Sequence, residues 1–255
     1  MREWRLVPYN EYSVFLNMAI DEAMLVLRAE GAIPDTVRFY KIRPSAVTMG
    51  YFQSVTEDVN TKRCSALRLP IVRRITGGGA VYHDAEGEIT YAVVASEKSP
   101  SVPRNIAESY RVICGGIVQA LRRLGLEAEF KPINDVVIGG KKVSGSAQTR
   151  RRGAVLQHGT LLYDTDIDTL ASVLLVPREK LEDKRITSIK ERVTTVSRAL
   201  GRKVSDREVV NALVEGFSEA LNARFVESGL TERELRLAEK LVGERYSRDE
   251  WNYMI

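Results

Sequence analysis

Arg73-Arg74-Ile75-Thr76-Gly77-Gly78-Gly79-Ala80-Val81-Tyr82-His83-Asp84 is the stretch on which the reading of this chain turns. A basic pair leads into three consecutive glycines, a β-prone step and a His-Asp pair. Three glycines in a row are costly to order, because glycine loses the most backbone freedom on folding. Alone they suit a flexible surface turn. Between two arginines and a His-Asp pair they suit close approach of backbone N–H groups to a ligand carrying a phosphate. The arginines fit that use, since a guanidinium fork can hold phosphate or stack on a base.

Composition bounds what surrounds the stretch. The chain has 255 residues, enough for one large domain or two small ones. Its net charge of +4 permits anionic partners without demanding nucleic acid. The two cysteines, Cys64 and Cys114, have no CxxC spacing, which suggests neither a disulfide framework nor a cysteine zinc site and suits a reducing cytoplasm. Only His83 and His158 are available as imidazole ligands, so a multi-histidine metal site is not expected. No apolar signal core follows Met1, and no run of about eighteen apolar residues occurs; neither a membrane span nor a membrane partner is expected.

The pattern along the chain is mixed. Residues 4 to 9 read as an opening strand, and Asn17 to Gly31 as a helix ended by glycine. Strands are expected over 37–42 and 46–51 around the turn Arg43-Pro44-Ser45, near Ile71-Val72, and over 89–94. Ile106, Tyr110, Ile113, Ile117, Leu121 and Leu124 make the clearest helical stripe, stopped by Gly125; Cys114 beside it reads as a small core residue. A strand over 127–131 precedes a hairpin from Asn134 to Gly145 that turns at Gly139-Gly140. Residues 154 to 163 form another strand, and Asp166 caps a helix that ends before Pro177. Ser205-Asp206-Arg207-Glu208 and Thr231-Glu232-Arg233-Glu234 match the capping box. The expectation is a single α+β domain over residues 1–255, with a mixed or antiparallel sheet flanked by helices.

Familiar nucleotide and nucleophile motifs are absent. A Walker loop fails at Asp135 and Lys142, and there is no GxGxxG, HExxH or GxSxG. Two further features complement the glycine stretch. Asn134-Asp135 and Lys142 share the hairpin, where strict alternation would put Lys142 and Ser144 on one face. Lys142 there could stabilise charge on a transferring phosphoryl or acyl group, and Asp135 could hold Mg²⁺; the plain alternative is a solvated hairpin whose lysines blunt an edge. Gln157-His158-Gly159-Thr160 places the other histidine in a strand, where it is more often a hydrogen-bonded structural residue than a catalyst.

Taken together, these pieces resemble the lipoate–protein ligase A family. The resemblance rests on Asn17-Met18-Ala19-Ile20-Asp21-Glu22, Met49-Gly50-Tyr51-Phe52-Gln53, the Arg73–Asp84 stretch, Asn134-Asp135, Lys142-Val143-Ser144-Gly145-Ser146-Ala147, His158-Gly159, Arg192-Val193 and the segment from Tyr246 to Asn252. It implies the class II synthetase-like catalytic domain shared by biotin and lipoate ligases. It also implies ATP and Mg²⁺ as requirements, with lipoate as substrate: lipoyl-AMP forms first, then the lipoyl group passes to a lysine of an acceptor domain. Acceptors in this family are lipoyl domains of 2-oxoacid dehydrogenases and the glycine cleavage H protein. By the family pattern Lys142 is the essential lysine. Arg74, Gly77, Gly78, Gly79, Ala80, Val81, Tyr82, Asn134 and Asp135 belong to the adenylate site. Gly145, Ser146, His83 and His158 belong to the lipoate site, and Asp135 is the candidate Mg²⁺ ligand.

The same fold also serves octanoyl- and lipoyl-transferases, which use a cysteine thioester; where such a cysteine precedes the hairpin lysine, this chain has Pro132-Ile133-Asn134-Asp135. A non-enzymatic acyl-nucleotide-binding module would lack Lys142 or the triple glycine, and both are present. Many family members carry a small C-terminal accessory domain. Its absence here leads to the expectation of a small separate accessory protein. No extension suggests a DNA-binding module.

Overall fold

The computed structural model describes residues 1–175 and 188–255; Pro177 lies outside the described residues. Among the described residues eleven strands build two sheets: β1 (Arg2–Tyr12), β2 (Thr36–Ile42), β3 (Ala46–Met49), β4 (Ile71–Arg73), β5 (Val81–His83), β6 (Glu88–Ser96), β7 (Ala128–Lys131), β8 (Asp135–Ile138), β9 (Lys141–Arg151), β10 (Ala154–Leu162) and β11 (Ala223–Glu227). The larger sheet has the order β11-β1-β2-β6-β10-β9-β8-β7. β1 runs parallel to both neighbours and the remaining pairs are antiparallel, so the sheet is mixed, within the expectation. The strands expected over 46–51 and near 71–72 instead join β5 in a separate three-stranded sheet, β4-β3-β5.

Alternation along the larger sheet separates two cores. Phe39, Tyr91, Val93 and Val155 face the helices Ile106–Arg123 and Asp206–Ala220, whose apolar stripes contribute Ile113, Ile117, Leu121, Leu213 and Phe217. Tyr40, Ala92, Val94 and Leu156 face the other way, onto helix Val14–Ala29. A third cluster lies under the small sheet, with Val47, Met49, Leu162, Leu170 and Val173.

Local chemistry explains most element ends. Ser13, Asn105 and Asp166 cap the helices that follow them through side-chain acceptors. Thr231 and Glu234 form the full reciprocal capping box. Ser205 makes only its half, because the Glu208 carboxylate turns to Arg202. β11 carries no strong strand pattern, and its extension of the sheet beside β1 was not expected.

One expectation is corrected by the hairpin. The β8–β9 register shifts between Val136 and Val137: Val136 pairs with Ser144, yet Val137 pairs with Lys142. This bulge breaks the alternation, so Val143 and Ser144 both leave the face that carries Lys142. Lys142 instead shares its face with Gly145, where an added Cβ would lie 2.6 Å from Lys142 Nζ. The same bulge sets Ser146 opposite Gly159 and Tyr91, on the face of helix Ile106–Arg123.

Arg5 of β1 forms a buried ion pair with Glu234, with side-chain exposures of 5% and 0%. Removing one partner strands a charge in the interior. Glu234→Ala should therefore lower unfolding free energy by about 3–5 kcal/mol in a urea titration.

Candidate active site

Arg74 leaves β4 and turns beneath the glycine loop. Its side chain is buried, with 4% exposure for the residue, and no carboxylate is paired with it among the described residues. Neutral acceptors hold it instead. Nε donates to Thr76 Oγ1 at 3.0 Å and Nη1 to Thr48 Oγ1 at 3.2 Å. Nη2 donates to the carbonyls of Gly77 and Gly79 at 2.8 and 2.7 Å. Gly78 sits between those carbonyls at φ +90°, and an added Cβ would meet Arg74 Nη2 at 3.1 Å. The stretch thus needs glycine for backbone conformation and for contact at the same position. Burial lowers the guanidinium pKa to about 10, so it stays charged at neutral pH.

Both histidines reach this arginine indirectly. His158 Nε2 lies 2.7 Å from Thr76 Oγ1 and its Nδ1 2.9 Å from Asp21 Oδ2. His83 Nε2 lies 2.9 Å from Thr48 Oγ1 and its Nδ1 2.8 Å from Glu88 Oε2. Asp21 is further held by Tyr40 and Arg38 at 2.8 and 3.1 Å. Burial pushes the His158 pKa below its ordinary value, outweighing the opposing pull of Asp21; the charge of Arg74 pushes the same way.

Across the cavity stands Lys142, half-buried. Its Nζ is 2.6 Å from Asp135 Oδ1, an ion pair without the direction of a hydrogen bond, since Oδ1 has no well-aligned donor among the described residues. The lysine backbone is pinned by Thr194, whose N–H donates to the Lys142 carbonyl at 2.9 Å. Asn134 Nδ2 donates to the Ser146 carbonyl, and the Ser146 N–H returns to the Asn134 carbonyl at 3.0 Å.

These groups line one cavity of about 210 Å³. Arg74, Gly78, Gly79, Ala80, Val81, Tyr82, His83, Asn134, Lys142, Gly145, Ser146 and His158, all expected from sequence, border it. Gly77 and Asp135 stand just behind, on Arg74 and Lys142 respectively. Met18, Ala147, Leu162, Leu170, Leu174, Ile189 and Val193 give it an apolar portion. Sequence reasoning missed Thr48, Thr76 and Glu88 as members of the site; buried polar residues beside the glycine stretch and at the head of a strand were the available signal. Ser146 borders the cavity, while its hydroxyl is taken up by Tyr91 at 2.7 Å on the far face of the sheet.

The profile of the lipoyl protein ligase A/B catalytic domain matches residues 13–218. The chain belongs to that family. An octanoyltransferase LipM from Brevibacillus brevis is 38% identical over 99% of each chain. A bipartite lipoate protein ligase from Thermoplasma acidophilum, described with its E2 lipoyl domain, superposes with a TM-score of 0.85 at 38% identity, covering 99% of this chain and 97% of that one. A lipoate-protein ligase A bound with ATP gives 0.85 at 35% identity over 99% of both chains. The lipoyl ligase A/B fold thus accounts for the mixed sheet and its helices, and the chain is an enzyme of the lipoate ligase and octanoyltransferase family.

The placement of the two thiols bears on the chemistry open to the cavity. A thioester route needs a thiolate open to the acyl group. Cys64 and Cys114 are both buried, and neither lines the cavity. Cys114 Sγ lies 3.5 Å from Ser146 Oγ among the core residues of helix Ile106–Arg123, and burial pushes its thiol up to about 11. Asp135 is a single carboxylate: among the described residues no three His, Cys, Asp or Glu side chains gather as a metal cage. No helix among the described residues is long and apolar enough to cross a membrane.

Two outcomes follow from the geometry. Gly78→Ala places a methyl group against Arg74 at a positive φ, and should lower unfolding free energy by about 1–3 kcal/mol in a urea titration. His158 is easier to protonate unfolded than folded. Its contribution to stability is therefore full above about pH 6.5 and is lost as pH falls from there through the lower folded value. Urea titrations from pH 8 to 5 should show this acid-side loss, and His158→Gln should flatten it.

Proposed function

We propose that the chain transfers a nucleotide-activated lipoyl group to a lysine of an acceptor domain, as the catalytic part of an ATP-dependent lipoate ligase. The observation that carries this reading is a cavity with two fixed cations, Arg74 and Lys142, an apolar portion, and no thiol. A carboxylate attacking an α-phosphate brings two anions together, and the new P–O bond expels pyrophosphate. Positioned cations and backbone donors stabilise that transition state. Among the described residues no acceptor takes the N–H groups of Gly77, Gly78 or Gly79, which leaves them for phosphate oxygens. In the second half-reaction the acceptor amine attacks the acyl carbon, AMP departs, and the amine gives up a proton. Lys142 serves both steps by holding the acyl and phosphate oxygens. Asp135 suits a Mg²⁺ ion carried in with nucleotide phosphates, because Mg²⁺ is commonly held by one or two carboxylates plus those oxygens.

A second reading is octanoyl transfer without ATP. It is favoured by the octanoyltransferase name of relatives that match along 99% of the chain. The two readings separate on the donor. Purified chain is given an acceptor lipoyl domain and either preformed lipoyl-AMP or an octanoyl thioester on a carrier protein. The ligase reading expects modification from the adenylate alone, unchanged in Cys64→Ser and Cys114→Ser, and reduced about 10²–10³-fold in Lys142→Ala. Modification from the thioester without nucleotide, lost in a cysteine variant, establishes the transferase instead.

We also infer a second polypeptide for the adenylation half-reaction. Support comes from the Thermoplasma ligase, described as bipartite, whose chain is covered over 97% of its length. The expected pattern is transfer from preformed lipoyl-AMP by this chain alone, with weak lipoate-dependent ATP–pyrophosphate exchange; full ligation by the single chain would refute it.

A further inference from the structure

We propose that His83 and His158 are positioning residues, acting through Thr48 and Thr76 to lock the Arg74 guanidinium from two sides so that it presents a fixed donor to an anionic ligand. The proposal rests on reading the cavity as an acyl-nucleotide site. Its basis is a continuous path of side chains, Asp21–His158–Thr76–Arg74–Thr48–His83–Glu88, in which each hydrogen bond spans 2.7 to 3.2 Å.

The direction of every bond along the path follows from donor and acceptor counts. A guanidinium only donates, so both threonine oxygens accept from Arg74. Each hydroxyl then has its own proton to place, and the adjacent histidine Nε2 is the acceptor within reach. A histidine that accepts at Nε2 carries its proton at Nδ1, which faces Asp21 in one arm and Glu88 in the other. Both arms therefore run one way, from arginine through hydroxyl and neutral imidazole to carboxylate. The depressed basicity of His158 agrees with the neutral form. Neither Nε2 is left over for a ligand.

The arms also account for the arginine's donors. Of its five N–H groups, Nε and one on Nη1 go to the threonines, and both on Nη2 go to Gly77 and Gly79. One Nη1 N–H has no acceptor among the described residues. An arginine fixed on four donors cannot swing to follow a ligand, so the fifth is directed before binding. The two carboxylates lie one imidazole and one hydroxyl away from the guanidinium. They order it without a direct ion pair, which leaves its charge available to an anion.

The test uses the full chain and two readouts. In ¹⁵N-edited spectra of the unliganded protein, Arg74 Nε–H, assigned with Arg74→Lys, should exchange slowly with solvent. Thr76→Val, close in shape but without the hydroxyl, should make it exchange at least tenfold faster, and Thr76→Ser should restore it. Affinity for AMP, read by calorimetry, should fall roughly 10- to 100-fold in Thr48→Val or Thr76→Val and recover in the serine variants. His158→Gln should cost affinity in the wild-type background and nothing further beside Thr76→Val, since both act through one path. Additive losses would mean that His158 touches the ligand, and overturn the proposal. So would an unchanged Arg74 exchange rate in Thr76→Val. If wild-type chain fails to bind AMP, the nucleotide reading fails by itself, and the exchange rates still decide whether the arms lock Arg74.

Discussion

A buried guanidinium with no carboxylate against it is the constraint on which this structure depends. Arg74 cannot shed its charge near neutral pH, and burial would expel it unless most of its five donors were answered. The chain answers with two hydroxyls and two carbonyls. The carbonyls belong to the glycine loop, so the same bonds that keep the arginine inside also curl the loop over it. The hydroxyls belong to β3 and to the residue before the loop, and through His158 of β10 and through His83 to Glu88 of β6 they tie the small sheet to the large one. Neutral acceptors satisfy the group without cancelling it. The result is a cationic floor that persists when the cavity is empty.

The larger sheet divides labour between its faces. The face toward helix Ile106–Arg123 is packed with Tyr91, Ile113, Ile117 and Phe217, and absorbs Ser146 and Cys114 into a structural polar cluster with Gln157. The opposite face carries His158, Thr160 and Leu162 into the cavity. Which residues belong to which face is decided at β9 by one bulge. Without that shift, strict alternation would turn Gly145 and Ala147 away from Lys142. The bulge thus makes room for the lysine ammonium above a residue that has no side chain.

Much of this was legible in the sequence where the cause is local. The triple glycine, the Gly139-Gly140 hairpin, the stripe from Tyr110 to Leu121 and the Thr231–Glu234 box each state their structure within a dozen residues. The family resemblance added Lys142 and the order of the site. What stayed hidden depends on distance along the chain. The contacts of Arg74 with Thr48 and of His158 with Asp21 span 26 and 137 residues. A histidine in a strand does not reveal which of its nitrogens meets what. The bulge was hidden for another reason: Val143 and Ser144 suit either face, and the choice is made by pairing with β8. β11 forms because β1 offers a free edge, and its own residues barely favour a strand.

Arg73, the neighbour of the arginine in the site, carries a consequence for how the protein comes into being. It is fully buried and donates to the carbonyls of Gly50, Tyr51 and Gln53 and to those of Trp251 and Asn252, while Asn252 accepts its backbone N–H and Trp251 donates to its carbonyl. The strand that leads into the glycine loop is thus completed by residues 178 and 179 positions away. During synthesis the loop emerges early, but its supporting strand stays half-bonded until Trp251 and Asn252 have left the ribosome. Non-local closure of this kind is slow to form. A chain cut short before Trp251 would therefore display the glycines without the rigid floor beneath them, so the order of the loop reports on a segment far from it in sequence.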